Sequence, residues 1–209
     1  MKENESAQDI PLDTLRLVEG RKILNEFVVV MDSIDINNDF SDVVEEFIKC
    51  KGKIVTTGIG KAGHAMKKFS SLLCSLGFQS CFIHPGEASH GDLGVIDEED
   101  ILFVASTSGK TREILEVIDL ARRIEIKKII GITSHEDSPI REKADIVIDM
   151  GTIIEAGHLR MAPTSSILVM LALTDAVALV AAREKGLTKK QYGKYHHGGY
   201  LGKKARGEV

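Results

Sequence analysis

Apolar residues recur along this chain in two rhythms, and their alternation predicts the architecture. Five short segments, 53–57, 79–84, 100–105, 128–133 and 145–150, are mostly continuous apolar runs. Runs of that length without polar alternation suit strands buried on both faces. Between and around them, apolar positions repeat at helical spacing over 12–34, 39–50, 62–76, 111–124 and 163–185, with shorter helices expected at 138–143 and 188–195. Gly77 and Gly186 end two of these helices, and Pro139 suits the start of a short one. Strands alternating with helices predict an α/β fold, a three-layer α/β/α sandwich with a five-stranded parallel sheet. The segment 12–34 lies outside the alternation. Its apolar positions Leu15, Leu17, Val18, Ile23, Leu24, Phe27 and Val28 are expected to pack on the sheet or on another subunit. The expected organisation is a flexible start at 1–11, one domain over 12–202 and a glycine-rich tail ending in 203–209.

Composition narrows the function classes. The chain has 209 residues, enough for one large domain, and its 43% hydrophobic and 28% charged content is that of a soluble globular protein. A net charge of −4 argues against non-specific nucleic-acid binding. Cys50, Cys74 and Cys81 are odd in number and lack metal-ligand spacing, so reduced thiols in a cytoplasmic protein are expected. The apolar stretch 167–182 carries Thr174 and Asp175 and is short for a membrane span, so it reads as a buried helix. No metal, no cofactor, no nucleic acid and no membrane partner are expected.

Four stretches carry chemistry. The run at 102–105 ends in the turn Ser106, Thr107, Ser108, Gly109, Lys110, Thr111, which opens a helix. A single helix cap needs one hydroxyl, and this turn has four. Unpaired N–H groups at a helix start favour an anion, so the turn reads as a phosphate cradle. G-I-G-K-A-G at 58–63 also joins a strand to a helix and sets Lys61 to face a bound group. It is neither a P-loop nor, lacking a ribose-binding acid, a dinucleotide fingerprint. H-P-G-E-A-S-H-G-D-L-G at 84–94 gathers Glu87 and His90 as proton-transfer candidates on a glycine-rich loop. Glu155 and His158 precede a second hydroxyl-rich helix start, Thr164, Ser165 and Ser166, for which capping and ligand contact stand level. His196 sits in K-Y-H-H-G-G-Y-L-G as an acid/base candidate, while His64 and His135 receive no role.

These segments, in this order, resemble the sugar isomerase (SIS) domain of D-arabinose 5-phosphate isomerases. The motifs are G-x-G-K-x-G, H-P-x-E-A-S-H-G-D-L-G, S-x-S-G-x-T, E-A-x-x-L-x-x-A-P-T-S-S and H-x-G-G-x-L-G, over about 53–202. The resemblance implies a five-stranded parallel sandwich in a single-domain form without CBS regulatory domains. It also implies a homotetramer with active sites near subunit contacts. The implied reaction interconverts D-ribulose 5-phosphate and D-arabinose 5-phosphate for 3-deoxy-octulosonate, capsule or lipopolysaccharide sugar synthesis. The implied phosphate site is Ser106, Ser108 and Thr111, with Lys110 beside it and Thr164, Ser165 and Ser166 assisting. The implied catalytic set is Lys61, Glu87, His90, Glu155 and His196.

For that reaction Glu155 is the expected base, chosen over His90 and His196 as alternatives, with a pKa raised by burial, and Lys61 is expected to stabilise the enediolate. His90 and His196 assist proton transfers, and Glu87 orients His90 or acts as a second acid/base. The chain departs from the family pattern where the family reads S-G-E-T, with Lys110 in place of the glutamate. Ala62, His158, Arg160 and His197 are further departures. Two alternatives stay open: a non-catalytic module that senses a sugar phosphate for a partner, and an isomerase of another phosphosugar such as 6-phospho-3-hexuloisomerase.

Overall fold

The computed structural model describes residues 11–209. The start expected to be flexible lies, up to residue 10, outside the described residues. Five strands, β1 (Ile54–Gly58), β2 (Ser80–Ile83), β3 (Ile101–Ala105), β4 (Lys128–Thr133) and β5 (Ile146–Asp149), pair in parallel throughout in the order β2-β1-β3-β4-β5. The expected α/β sandwich is the observed one. The strand order reverses between β1 and β3, because β2 lies on one side of β1 and every later strand on the other. Crevices at such a switch, beyond the carboxyl ends of the strands, are where open α/β sheets take ligands.

Strand alternation divides the core between two faces. Ile101, Phe103 and Ala105 of β3 point to one face, and Leu102 and Val104 to the other; all five are buried. The first face is covered by α2 (Asn38–Lys49), α3 (Gly60–Ser75) and α7 (Ser165–Glu184). The second is covered mainly by α5 (Arg112–Arg123), with α4 (Pro85–Ala88) and α6 (Ile140–Lys143). Phe103 joins an aromatic cluster on the first face, with ring centroids 5.1 Å from Phe69 and 6.1 Å from Phe47, and Phe47 in turn meets Phe69 and Phe78. α7 is long and apolar enough to cross a membrane by length and composition. Its burial shows a core helix instead, since Val169, Met170, Val177, Ala178 and Ala181 are fully enclosed. Asp100 is buried at the start of β3, where it accepts from the Lys53 amide at 2.7 Å and pairs with the Lys53 ammonium at 2.5 Å. That bond ties β3 to the residue preceding β1.

Three elements differ from the pattern. The histidine-rich loop contains α4 and a 3₁₀ turn at Asp92–Val95. The His84 imidazole caps α4, its Nδ1 accepting from the Gly86 amide at 3.1 Å. The glycine-rich end forms a helix, α9 (Gly199–Arg206), packed on α8 (Lys189–Tyr195). The first helix, α1 (Leu12–Asp32), buries only Val30 and leaves Leu12, Leu15, Leu17, Val18, Leu24, Val28 and Val29 exposed.

Phe103→Ala should cost about 3–5 kcal/mol, because it removes a fully buried ring from a three-ring contact. Urea unfolding followed by far-UV circular dichroism checks this, and a loss under about 1 kcal/mol would contradict that packing role.

Candidate active site

The turn after β3 is held from below. Gly109 has φ 65°, and a Cβ there would stand 1.6 Å from the Ser138 hydroxyl, so only glycine fits. β4 and its exit loop brace the turn: the Thr133 hydroxyl and the Ser134 amide both donate to the Thr107 carbonyl, at 3.1 and 2.9 Å. Within the turn, the Ser106 and Thr111 hydroxyls share a 2.8 Å hydrogen bond. The Gly109 amide donates to Ser106 Oγ at 3.1 Å, and the Lys110 amide to Ser108 Oγ at 3.2 Å. The hydroxyls are thus prearranged around one point at the start of α5.

A cavity of about 320 Å³ opens over this turn. Its walls are the start of α3 with Lys61, the turn with Ser106, Ser108 and Thr111, and the start of α7 with Ser166. Glu155 and His135 complete it. It lies where β1 and β3 end, at the switch in strand order, and three helix N-termini converge on it. Each contributes partial positive charge, and Lys61 adds a full one, so the cavity favours an anionic ligand.

Glu155 is seated on the start of α7. Its carboxylate accepts from the Thr164 amide at 2.7 Å, the Thr164 hydroxyl at 3.2 Å, the Ser166 amide at 3.3 Å and the Ser166 hydroxyl. Burial works to raise the Glu155 pKa, but these hydrogen bonds, led by the Ser166 hydroxyl, outweigh it and hold the carboxyl below the ordinary glutamate value. The expectation of a raised pKa is therefore reversed in this structure. The same contacts show what Thr164 and Ser166 do here: they bind a carboxylate of the chain itself. Ser165 is fully buried, with no hydrogen-bond partner for its hydroxyl among the described residues, and does not line the cavity.

The other expected site residues are scattered. Lys110 points away from the cavity and pairs with Asp137 at 2.6 Å on the surface. Glu87 and His90 are exposed on the α4 loop and do not reach the cavity. His196, half-buried at the end of α8, stacks on Tyr192 with ring centroids 5.3 Å apart, also outside it. His135, to which the sequence assigned nothing, is the histidine on the cavity wall, and its Nδ1 is 3.9 Å from Asp137 Oδ1. The signal was its position: it follows β4, and in a parallel sheet all strands end at the same edge. Among the described residues, no group of three or more His, Cys, Asp or Glu side chains is arranged to hold a metal ion.

Comparison with known proteins agrees with this fold. Residues 46–180 match the SIS domain family. The chain is 39% identical over 169 residues to arabinose 5-phosphate isomerase KdsD of Pseudomonas aeruginosa, an alignment covering 81% of this chain and 52% of that protein. It thus spans about half the length of the curated relatives it matches. A Bacteroides fragilis structure, assigned as a phosphosugar isomerase involved in capsule formation, superposes with a TM-score of 0.86 at 36% identity, covering 88% of this chain and 99% of that one. The Escherichia coli CFT073 protein c3406, solved in complex with arabinose 5-phosphate, gives a TM-score of 0.82 at 30% identity, covering 90% of this chain and 99% of that one.

The lowered pKa has a sign that can be checked. A glutamate depressed in the folded state adds stability that is complete above its unfolded value of about 4.3 and is lost as pH falls through the folded value. The stability advantage of the wild type over Glu155→Gln should therefore be largest near neutral pH and shrink in acid. Thermal melts of both proteins between about pH 7 and about pH 3 measure it, and a gap that widens in acid would contradict the assignment.

Proposed function

Since the chain belongs to the SIS domain family, we propose that it is an aldose–ketose isomerase acting on a five-carbon sugar phosphate, interconverting D-ribulose 5-phosphate and D-arabinose 5-phosphate. The observation that carries this reading is the placement of Lys61 and Glu155 in one cavity with the hydroxyl turn Ser106, Ser108 and Thr111. A binding module needs only the turn; an ionised carboxylate and an ammonium beside it are the groups that proton abstraction requires. The named relatives and the sugar-phosphate complex of the Escherichia coli protein support the same substrate.

The chemistry assigns roles in order. The turn and the N-terminus of α5 hold the phosphate. Glu155, ionised at neutral pH, removes the proton from C1 of the ketose. Lys61 stabilises the oxyanion of the resulting enediolate. Return of the proton to C2, with transfer of a hydroxyl proton between the two oxygens, gives the aldose. Ser166 then matters twice, because its hydrogen bonds orient the Glu155 carboxylate and must loosen when the proton arrives. Lys110, paired with Asp137, acts on the turn from outside the cavity.

Glu87, His90 and His196 are assigned here to sites completed by a second copy of the chain, in a homotetramer with active sites near subunit contacts. Their distance from the cavity of their own chain and the exposed apolar side of α1 support that arrangement. The proposed setting is the cytoplasm, and the product is expected to feed 3-deoxy-octulosonate, capsule or lipopolysaccharide sugar synthesis.

Purified protein incubated with ribulose 5-phosphate should yield arabinose 5-phosphate, identified by ¹³C NMR. Saturable sugar-phosphate binding without turnover would instead support a sensor, and a different product would name another isomerase. Glu155→Gln should lower kcat by about 10²- to 10⁴-fold while substrate binding changes little. Ser106→Ala should act mainly on KM, because it removes a phosphate contact and leaves the base in place.

A further inference from the structure

The loop that carries Glu155, residues 151–164 between β5 and α7, has no strand or regular helix of its own. Its backbone takes forms that ordinary residues avoid: φ is 70° at Gly151, 84° at Gly157 and 49° at Arg160. Thr152, Ile154, His158, Leu159, Arg160 and Met161 are exposed, so packing does little to fix its shape. At its entry the Gly151 carbonyl accepts from the Ser134 hydroxyl at 2.5 Å, and at its exit Glu155 grips the start of α7. Between them, one side chain from far away in the sequence holds the loop. Glu26 of α1 accepts from the Gly157 amide at 3.0 Å through Oε2, and its Oε1 lies 4.0 Å from the Arg160 guanidinium.

That contact is out of character for α1, which buries only Val30 and presents most of its surface to solvent. Glu26 is the exception on its polar side, with only 26% of its side chain exposed. It reaches the backbone two residues beyond Glu155. A cavity of about 600 Å³ lies between α1 and the loop, and Glu26, Arg160 and Glu155 all line it. Glu155 thus forms part of the wall of two cavities, one shaped by the phosphate turn and one shaped by α1.

We propose that Glu26 is a positioning residue, which acts through Gly157 and Arg160 to hold the Glu155 loop so that the carboxylate stays on the start of α7 and faces the smaller cavity. Its catalytic consequence rests on the isomerase reading above; its hold on the loop does not. Small errors in the placement of a reacting group are expensive, since a shift of about 1 Å costs up to about 10²-fold in rate. Loss of Glu26 therefore lowers turnover without removing any group that touches the phosphate.

The test uses the whole chain with Glu26→Ala and Glu26→Gln. The glutamine carbonyl still accepts from the Gly157 amide but loses the charge that faces Arg160. With ribulose 5-phosphate, Glu26→Ala should lower kcat by about ten-fold or more with KM within about two-fold of wild type, and Glu26→Gln should recover most of the loss. In hydrogen–deuterium exchange, peptides spanning 155–166 should exchange faster in Glu26→Ala, while those of β1 and β3 remain as protected as in wild type. Unchanged exchange at 155–166 overturns the proposal, as does unchanged kcat in an active protein. If the wild type itself turns over no substrate, the isomerase reading fails, and the exchange experiment alone decides whether Glu26 holds the loop.

Discussion

A parallel sheet sends every strand out at the same edge, and here that geometric constraint governs the rest. The connections after β1, β3, β4 and β5 all arrive at one rim. The reversal of strand order between β1 and β3 parts the helices there and leaves room for a cavity. Residues separated by many turns of chain, Lys61, Ser106, His135 and Glu155, become neighbours because each follows the end of a strand. The two-faced core makes this rim rigid. Phe103 packs below the sheet and Leu102 and Val104 above it, so the end of β3 has no freedom to tilt.

The turn on that rim is braced by the end of β4 and the loop that follows it. Gly109 is wedged against Ser138, and Thr107 is bonded to Thr133 and Ser134. Its hydroxyls bond one another, at 2.8 Å between Ser106 and Thr111. A ligand that displaces that bond meets donors already in position and pays little ordering entropy. The surface pair of Lys110 and Asp137 adds a further strap from the turn to the loop after β4, although such exposed pairs are worth little individually.

The fold was legible in the sequence because each strand is a short apolar run buried on both faces, and such runs have few other uses. α9 escaped because its glycines suggest a loose end. At Gly202 the glycine instead permits close packing, since a Cβ there would stand 2.3 Å from the His196 carbonyl. The phosphate turn was legible because its four hydroxyls fall within six consecutive residues. His135 was not, because nothing local marks it and only the common strand edge brings it to the cavity. The ionisation of Glu155 was read in the wrong direction from burial. What reverses it, four hydrogen bonds from Thr164 and Ser166, depends on how a loop folds back onto a helix, which spacing does not encode.

The seating of Glu155 on α7 has a consequence for the charge of the cavity. Of the three helix starts at the cavity, those of α3, α5 and α7, the last already holds a carboxylate of the chain itself. The cavity is therefore uneven in charge: the hydroxyl turn and Lys61 attract an anion, and Glu155 repels one. By filling the α7 start itself, the protein turns one of its own anion seats into a negative wall.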